Sequence, residues 1–317
     1  MALMVNNIGN VAAGATRGVP VDVENAIQLY SGEVILNFDR KTVFTELIKT
    51  KTIPHGNSTS FPLIGMSSDE DTNTHVPGTV LTMSAIPVKE RIINIDALEY
   101  FALAVDFFEE KILHFEVRGE LAKQAGEALA VKIEKQAGKM IALASQTSGT
   151  IGTDVVQPDG SEVVNDLIAT ATGSKAKGDA LIESIFAGVA LMEDKDVTGE
   201  KYVVVSPLTY SYLVQSDAIN KDVTSGSNGG LDTGKVMEVA GVKIYKSNYM
   251  PADAIDGKKV QAMLFTSECA CMVKLVDITS EHNYIPEQLA TLLTTYYSYG
   301  MGVLKPACSC VILGGTV

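Results

Sequence analysis

The residues best suited to metal or redox chemistry are four cysteines, arranged as two Cys-x-Cys pairs, Cys269/Cys271 and Cys308/Cys310. Both pairs lie in apolar runs typical of strands. Because residues i and i+2 of a strand share one face, the four thiols could form two facing pairs in one sheet. Structural zinc sites favour two or more residues between paired ligands. We therefore predict buried, reduced thiols with no bound metal and no obligatory disulfide.

The remaining polar side chains lack the spacing of a catalytic or cofactor site. The sequence contains neither the Gly-x-Gly-x-x-Gly pattern of dinucleotide-binding turns nor a phosphate-binding P-loop, and its histidines lack metal-ligand spacing. The acidic cluster Asp69, Glu70 and Asp71 lacks the alternating ligands around a glycine that calcium loops need, so a solvated tip is favoured. We predict that the protein is not an enzyme and holds no cofactor or metal.

The charge balance argues against binding to nucleic acid. Lys and Arg number 25 and Asp and Glu number 38, giving a net charge of −13 at pH 7, whereas binding to a phosphate backbone depends on neutralising cations. No segment approaches the ~18 consecutive apolar residues of a membrane helix, and the N-terminus lacks the pattern of a secretory signal. We expect a soluble protein that stays in the compartment where it is made.

Residues 50–96 predict a long two-stranded ribbon that follows an N-terminal arm. Two stretches rich in β-branched residues carry Pro62 and Pro87, and proline is confined to edge strands or bulges. Between them lies a polar tip with a turn signal at Pro77-Gly78. An isolated ribbon is marginally stable and its open edges invite pairing. The ribbon must therefore lie on something, and a neighbouring copy is the simplest choice.

Residues 106–146 predict a very long helix. Asp106 with Glu109 resembles a capping box, and an apolar stripe of helical period follows. Such a helix would span about 60 Å, which suits the spine of an extended molecule better than a compact domain. Glutamates at 120, 127 and 134 recur with lysines nearby, the pattern of an exposed face or of a face toward another subunit. Arg118 stands among glutamates, and we predict that it makes an ion pair, with a contact across a subunit boundary and an exposed contact within the helix as the two alternatives.

Residues 150–262 predict an α/β lobe, and the chain then returns through apolar strands. Helices are predicted near residues 178–193 and from Pro207 through Val214, with strands at residues 201–206 and 241–247. Residues 225–234, rich in glycine, are predicted to be a flexible loop.

The order of these parts resembles the major capsid fold of tailed bacteriophages, with its N-arm, extended E-loop, P-domain spine helix and A-domain. Several segments are also similar, in the same order, to capsid proteins of short-tailed podoviruses of the autographivirus type. The lobe departs from that pattern in looking trimmed. The similar segments lie at residues 31–34 with Phe38, 60–65, 77–78, 93–96, 115–130, 201–213, 239–247 and 297–308.

The resemblance implies an α+β tailed-phage major capsid fold with an N-arm, an extended β-hairpin E-loop, a P-domain with a long spine helix, and an α/β A-domain. The expected boundaries are 1–49 for the N-terminal arm, 50–96 for the E-loop, 97–149 for the P-domain with its spine helix, 150–262 for the A-domain, and 263–317 for the return strands of both domains.

The resemblance also implies a structural subunit of an icosahedral phage capsid, which self-assembles into hexamers and pentamers around double-stranded DNA. Its implied partners are copies of itself, a separate scaffolding protein during assembly, a portal protein at one vertex, and packaged DNA without specific binding; no membrane is involved. The implied location is the virion capsid, assembled in the host cytoplasm. Two alternatives remain: an encapsulin-type nanocompartment shell, which the motif match disfavours, and a cytoplasmic α/β enzyme using the lobe.

We expect contacts between copies to come from the ribbon, its acidic tip and the charges of the long helix. The residues concerned are Phe61, Pro62, Asp69, Glu70, Asp71, Pro77, Gly78, Arg118, Glu120 and Glu127.

Overall fold

The chain folds into two compact units in this computed structural model. The first unit comprises Met1–Thr42, Ala97–Lys132 and Val276–Ser298, and the second comprises Val43–Asp96, Ile133–Leu275 and Tyr299–Val317. The structure describes residues 33–38, 42–65, 74–75, 77–78, 80, 86–106, 117–151, 155–216, 229–230, 235–236, 238–251, 255 and 257–316.

The described residues contain strands that we number in chain order. They are β1 Lys49–Thr52, β2 Ser58–Ile64, β3 Val88–Asn94, β4 Glu99–Asp106, β5 Ser161–Val164, β6 Lys201–Val205, β7 Gly229–Gly230, β8 Lys235–Val236, β9 Glu238–Val239, β10 Val242–Lys246, β11 Lys258–Thr266, β12 Ala270–Ile285, β13 Ala290–Val303 and β14 Ser309–Thr316. The helices are Phe44–Leu47, the long helix Val117–Gln146, Leu167–Thr170, the lobe helix Ser174–Glu193 and Pro207–Gln215. Residues 33–38 are also helical.

The predicted long helix is confirmed from Val117 to Gln146, but its predicted start is wrong. Asp106 is the last residue of β4, where it lies opposite Ala290 of β13. The alternating burial along β4 shows that this segment follows the period of a strand, which outweighs the capping-box pattern. Residues 107–116, including Glu109, lie outside the described residues.

The first unit packs its part of the long helix against the β4–β13 ladder. The two strands are antiparallel from the pair Tyr297–Glu99 to the pair Ala290–Asp106. Gly126 of the long helix lies against the backbone of Val34, so close that a Cβ there would be 2.5 Å from the Val34 carbonyl oxygen. Glycine is therefore required here despite its cost within a helix. The buried cluster of this unit contains Val34, Ala122, Ala125 and Leu293, with Phe101, Val105 and Ile278 packed around it.

The second unit contains the lobe, a six-stranded sheet in the order β5-β14-β11-β6-β10-β9 with helices packed on it. The predicted strands at β6 and β10 are confirmed, and they pair in parallel. The predicted helix from Pro207 is also confirmed, and Ser206 caps it by accepting a hydrogen bond from the Thr209 amide at 3.2 Å. The predicted helix near 178–193 is confirmed as the lobe helix.

The predicted loop at residues 225–234 contains a short strand at two of its positions. Gly229–Gly230 of β7 pairs antiparallel with Lys235–Val236 of β8, so the loop prediction is wrong at Gly229 and Gly230, while the rest of the predicted loop lies outside the described residues. Elsewhere in the second unit, β1 pairs in parallel with β12 from Lys49–Cys271 to Thr52–Lys274. Within the described part of the chain, no helix is both long and apolar enough to cross a membrane.

Candidate subunit-contact surface

The predicted ribbon is confirmed as the antiparallel pair β2–β3, which forms a two-stranded sheet of its own. The register runs from Ser58 opposite Asn94 to Ile64 opposite Val88. Directly opposed residues of an antiparallel pair share one face. Their alternating exposure therefore gives the ribbon one covered face and one exposed face.

The exposed face of the ribbon is unusually apolar for a surface. Ile64 is 60% exposed, Val88 58% and Ile92 63%. Pro62 lies on the same face, opposite Glu90. Contiguous exposed apolar side chains in a soluble protein mark contact surfaces. Four apolar side chains on one narrow face thus point to an interaction site.

The other face of the ribbon packs against the rest of the second unit. The paired strands β2 and β3, which we call the ribbon root, are therefore covered on this side within their own subunit. Leu63 and Ile93 are only 4% and 3% exposed, and Ile93 belongs to a buried cluster with Ile53 and Leu304. Phe61, a predicted contact residue, lies on this covered face, where the Lys51 ammonium sits 4.9 Å from the ring centroid. The sequence predicted that the ribbon must lie on something, with a neighbouring copy as the simplest choice. In this structure, one face of the ribbon root is supported by its own subunit.

Arg91 holds β3 against the end of β13, and nothing in the local sequence pattern indicated this role. Its guanidinium donates to the carbonyl oxygens of Val303 at 3.2 Å and Leu304 at 3.1 Å. Partial burial lowers the pKa of Arg91 below its usual value. On the other strand, the Gln157 amide donates to the Ile64 carbonyl at 2.9 Å. Both strands are therefore tied to the rest of the second unit, β3 through Arg91 and β2 through the carbonyl of its last residue, Ile64.

The tip of the ribbon is described only in part. Pro77 and Gly78 form a turn, as predicted, and Gly78 has a φ of +93° with open space around its Cα. Both residues are exposed, which suits a contact at the far end of the ribbon. Asp69, Glu70 and Asp71 lie outside the described residues.

The long helix presents the other predicted contact residues. Glu120 is exposed and Glu127 is half-buried, and Glu127 interacts with other groups. Arg118 lies in the first turn of the described helix, but its side chain is outside the described part, so its ion pair stays a prediction. Lys132 pairs with Glu99 of β4 within the first unit.

The prediction that Glu134 lies on the exposed charged face is wrong. Glu134 is fully buried, and its carboxylate accepts hydrogen bonds from the backbone amides of Phe44 at 3.1 Å and Thr45 at 3.2 Å. The Thr45 hydroxyl donates to it as well, at 3.1 Å. Burial raises the pKa of Glu134, while these hydrogen bonds oppose the rise. The detectable signal was its position between the apolar residues Ala130 and Ala137 of the buried stripe.

The predicted burial of all four cysteines is confirmed, but their predicted arrangement is wrong. Cys271 lies in β12 and Cys310 in β14, which belong to different sheets, while Cys308 ends the short 3-10 helix Pro306–Cys308. Burial raises the pKa of Cys269 and Cys310 to about 12. Thiols with such pKa values stay protonated and are poor nucleophiles at neutral pH. Across the described ranges, no group of three or more metal-binding side chains comes together.

Comparison with known proteins finds matches among phage capsid proteins. Residues 60–313 match the family of Gp10A-like major capsid proteins. The chain is 30% identical to the major capsid protein of Escherichia phage T7 over 107 residues, 33% of this chain and 30% of that protein. It is 24% identical to the major capsid protein of Enterobacteria phage T3 over 196 residues, 59% of this chain and 55% of that protein. The matches thus span about a third to a half of the length of these curated relatives.

The fold is shared over a much longer stretch. The capsid structure of cyanophage P-SCSP1u superposes with a TM-score of 0.74 at 26% identity, covering 98% of this chain and 94% of that one. The predicted α+β fold of tailed-phage major capsid proteins is therefore confirmed.

Proposed function

Because this chain belongs to the Gp10A-like major capsid protein family, we propose that it is the structural subunit of an icosahedral phage shell, built from hexamers and pentamers and enclosing double-stranded DNA. A family of capsid proteins is structural and non-enzymatic, so the alternative of a cytoplasmic α/β enzyme is set aside.

The observation that carries the proposal is the ribbon. Its root is held by Arg91 and by buried Leu63 and Ile93. Its opposite face displays Ile64, Val88 and Ile92 to solvent. An anchored strand pair with an apolar open face is stabilised by covering that face, and further copies of the same chain supply the cover in a closed shell.

The proposal extends to partners, location and domains. The partners are copies of the chain, a separate scaffolding protein during assembly, a portal protein at one vertex, and DNA that is enclosed without specific binding. Assembly takes place in the host cytoplasm and ends in the virion capsid. We assign the N-arm to residues 1–49, the E-loop to 50–96, the P-domain to 97–149, the A-domain to 150–262, and the return strands to 263–317.

Electron microscopy of the protein, expressed alone and together with its phage's scaffolding protein, tests the central claim. We expect closed shells with five-fold and six-fold capsomers, and particles from infected cells should absorb at 260 nm as DNA-filled shells do. Shells that instead enclose a protein cargo and no DNA would favour the nanocompartment alternative. Protein that stays monomeric under both conditions would refute the proposal.

Deletion of residues 67–77 tests the ribbon as an assembly device. We expect soluble, folded subunits that form no closed shells, because the lobe core and the ribbon root do not depend on the tip. Circular dichroism and thermal unfolding of the deletion protein serve as the folding control. Normal particles from this variant would show that the ribbon tip has no part in assembly.

A further inference from the structure

The lobe helix Ser174–Glu193 is apolar on two opposite faces in its second half. Its inner face packs on the lobe sheet, where Leu181 and Ile185 are fully buried. Gly188 fits this contact closely, since a Cβ there would lie 3.2 Å from the Sγ atom of Cys310. The helix is therefore held against its sheet, and its outer face is presented on a rigid support.

The outer face of this helix carries a short apolar stripe. Phe186 is 55% exposed and Leu191 39%, and Ala187 and Ala190 between them are exposed as well. Spacings of three and four residues place these side chains on one face. A surface helix normally turns polar side chains outward, and one that is apolar all round is covered by further protein. We call Phe186, Ala187, Ala190 and Leu191 the lobe stripe.

Two exposed carboxylates bracket the lobe stripe. Glu183 lies three residues before Phe186, and Asp194 lies three residues after Leu191. Residues three apart on a helix are surface neighbours. The lobe stripe therefore has an apolar centre with a carboxylate at each end.

The described lysines that flank the stripe in sequence are engaged elsewhere. Lys177 lies over the ring of Tyr212, with its ammonium 5.5 Å from the ring centroid. Lys195 donates to two backbone carbonyls that precede β5, at 2.7 and 3.1 Å. Lys201 pairs with Glu193 at 2.8 Å. The surface around the stripe thus favours a partner that brings positive charge of its own.

The same stripe on a second copy is a poor occupant. Two lobe helices that paired in parallel about the centre of the stripe would place Glu183 against Glu183. Antiparallel pairing about the same centre would place Glu183 of one copy against Asp194 of the other, at both ends. Like charges opposed across an interface cost free energy in either arrangement.

We infer that the lobe stripe binds a partner protein through a basic amphipathic helix of that partner, whose apolar side chains cover the stripe and whose lysine or arginine side chains lie beside its two carboxylates. Charge complementarity selects this occupant, and the small side chains of Ala187 and Ala190 allow a second helix to approach closely. Nucleic acid and anionic membranes are disfavoured, because both are negatively charged like Glu183 and Asp194. The inference goes beyond the proposed function, since it assigns a surface that each unassembled subunit carries.

Peptide binding to unassembled full-length subunits tests the inference. The probe is a synthetic helical peptide with a leucine stripe and a lysine one turn before and one turn after it, and the matched peptide carries glutamates at those two positions. Fluorescence anisotropy of the labelled peptides measures both affinities. We expect the lysine peptide to bind about tenfold more tightly, because its two attractive charge contacts become repulsive in the glutamate peptide.

Substitutions in the chain locate the binding. Phe186→Ser removes the largest side chain of the stripe, and Glu183→Lys with Asp194→Lys reverses the charge at its two ends. Each variant should weaken binding of the lysine peptide by about tenfold. The charge variant should also gain affinity for the glutamate peptide, which a general loss of structure would not produce.

Two control variants match these changes elsewhere on the chain. Leu208→Ser removes another exposed apolar side chain of the lobe, 63% exposed on the helix Pro207–Gln215. Glu46→Lys with Glu287→Lys reverses two other exposed carboxylates and so changes the net charge equally. Both controls should bind the lysine peptide like the wild type.

The outcomes separate a partner surface from a contact between copies. Equal affinity of the two peptides, or equal binding by the wild type and both stripe variants, would overturn the inference. Sedimentation of the chain alone provides the other check. If Phe186→Ser reduced self-association there, the stripe would be a contact between copies and the inference would be wrong. Because peptide binding is measured on unassembled subunits, a chain that forms no shells would refute the proposed function without changing this result.

Discussion

The ribbon and the lobe are both β structure of the second unit, but they cover their surfaces differently. In the lobe, Val203, Val204 and Val205 of β6 are all fully buried, so both faces of this strand are covered. In the ribbon, alternate residues are exposed and include Ile64, Val88 and Ile92. The lobe buries a hydrophobic core of its own, whereas only one face of the ribbon root is covered within the subunit. Substitutions in the lobe should therefore change folding, and those on the ribbon's open face should change assembly.

The largest expected loss in the free energy of unfolding comes from a substitution in the lobe core. Phe265 is fully buried and lies against the rings of Phe44 and Tyr202. Phe265→Ala should reduce the free energy of unfolding by about 3–5 kcal/mol, because it removes a large apolar side chain and leaves a cavity. Denaturant unfolding of unassembled subunits measures this loss. A loss below about 1 kcal/mol would show that the lobe core is looser than its burial indicates.

A smaller effect is expected at the ribbon root. Arg91→Ala leaves the carbonyl oxygens of Val303 and Leu304 without their donor, which should cost about 1–3 kcal/mol. Arg91→Lys keeps the charge but cannot span both carbonyls equally well, so its loss should be intermediate. Hydrogen exchange should accelerate in the amides of β2 and β3 more than in those of β6. Equal acceleration in both regions would mean that the root and the lobe open as one unit.

Glu134 should make the free energy of unfolding modestly dependent on pH. Because burial raises its pKa above the unfolded value of 4.5, the folded state binds the proton more tightly than the unfolded state. The resulting stability is fully present below pH 4.5 and is lost as the pH rises through the folded pKa. The wild type should therefore gain stability relative to Glu134→Gln as the pH falls from 7 toward 4.5. Denaturation midpoints of both proteins across this range provide the test, and a constant difference would contradict it.

The smallest effect on the isolated subunit is expected on the ribbon's open face. Ile92→Ser should change the free energy of unfolding by about 0.5 kcal/mol or less, because the side chain is already largely in water. Its effect should emerge as a lower yield or lower heat resistance of assembled shells. Thr59→Ser, on the covered side of the same ribbon, is a conservative control. Unchanged shells from Ile92→Ser would remove this face from the list of contacts.

Local patterns in the sequence predicted most of the elements that build these two regions. The β-branched stretches around Pro62 and Pro87 predicted the ribbon, and the Pro77-Gly78 pair predicted its turn. The spacing of apolar residues predicted the long helix from Val117 and the lobe helix. Each signal lies within one element, where periodicity and turn chemistry act over a few residues.

The same local patterns were wrong where strand and helix signals compete or where the partner is distant. Asp106 resembles a helix cap, but pairing with Ala290 places it in a strand. The two cysteine pairs look alike in sequence, but β12, which contains Cys271, and β14, which contains Cys310, belong to different sheets. Pairing between distant strands determines both outcomes, and a short segment does not encode it.

What the sequence by itself determined is most of the helices and strands, the acidic charge and the family resemblance. Only the tertiary structure decided that Glu134 is buried and that Arg91 fastens the ribbon. The amides that meet Glu134 are 89 and 90 residues away in sequence, and the carbonyls that meet Arg91 are 212 and 213 residues away. A buried charge is tolerated only where such partners satisfy it, and which backbone groups arrive beside it depends on the packing of the whole unit.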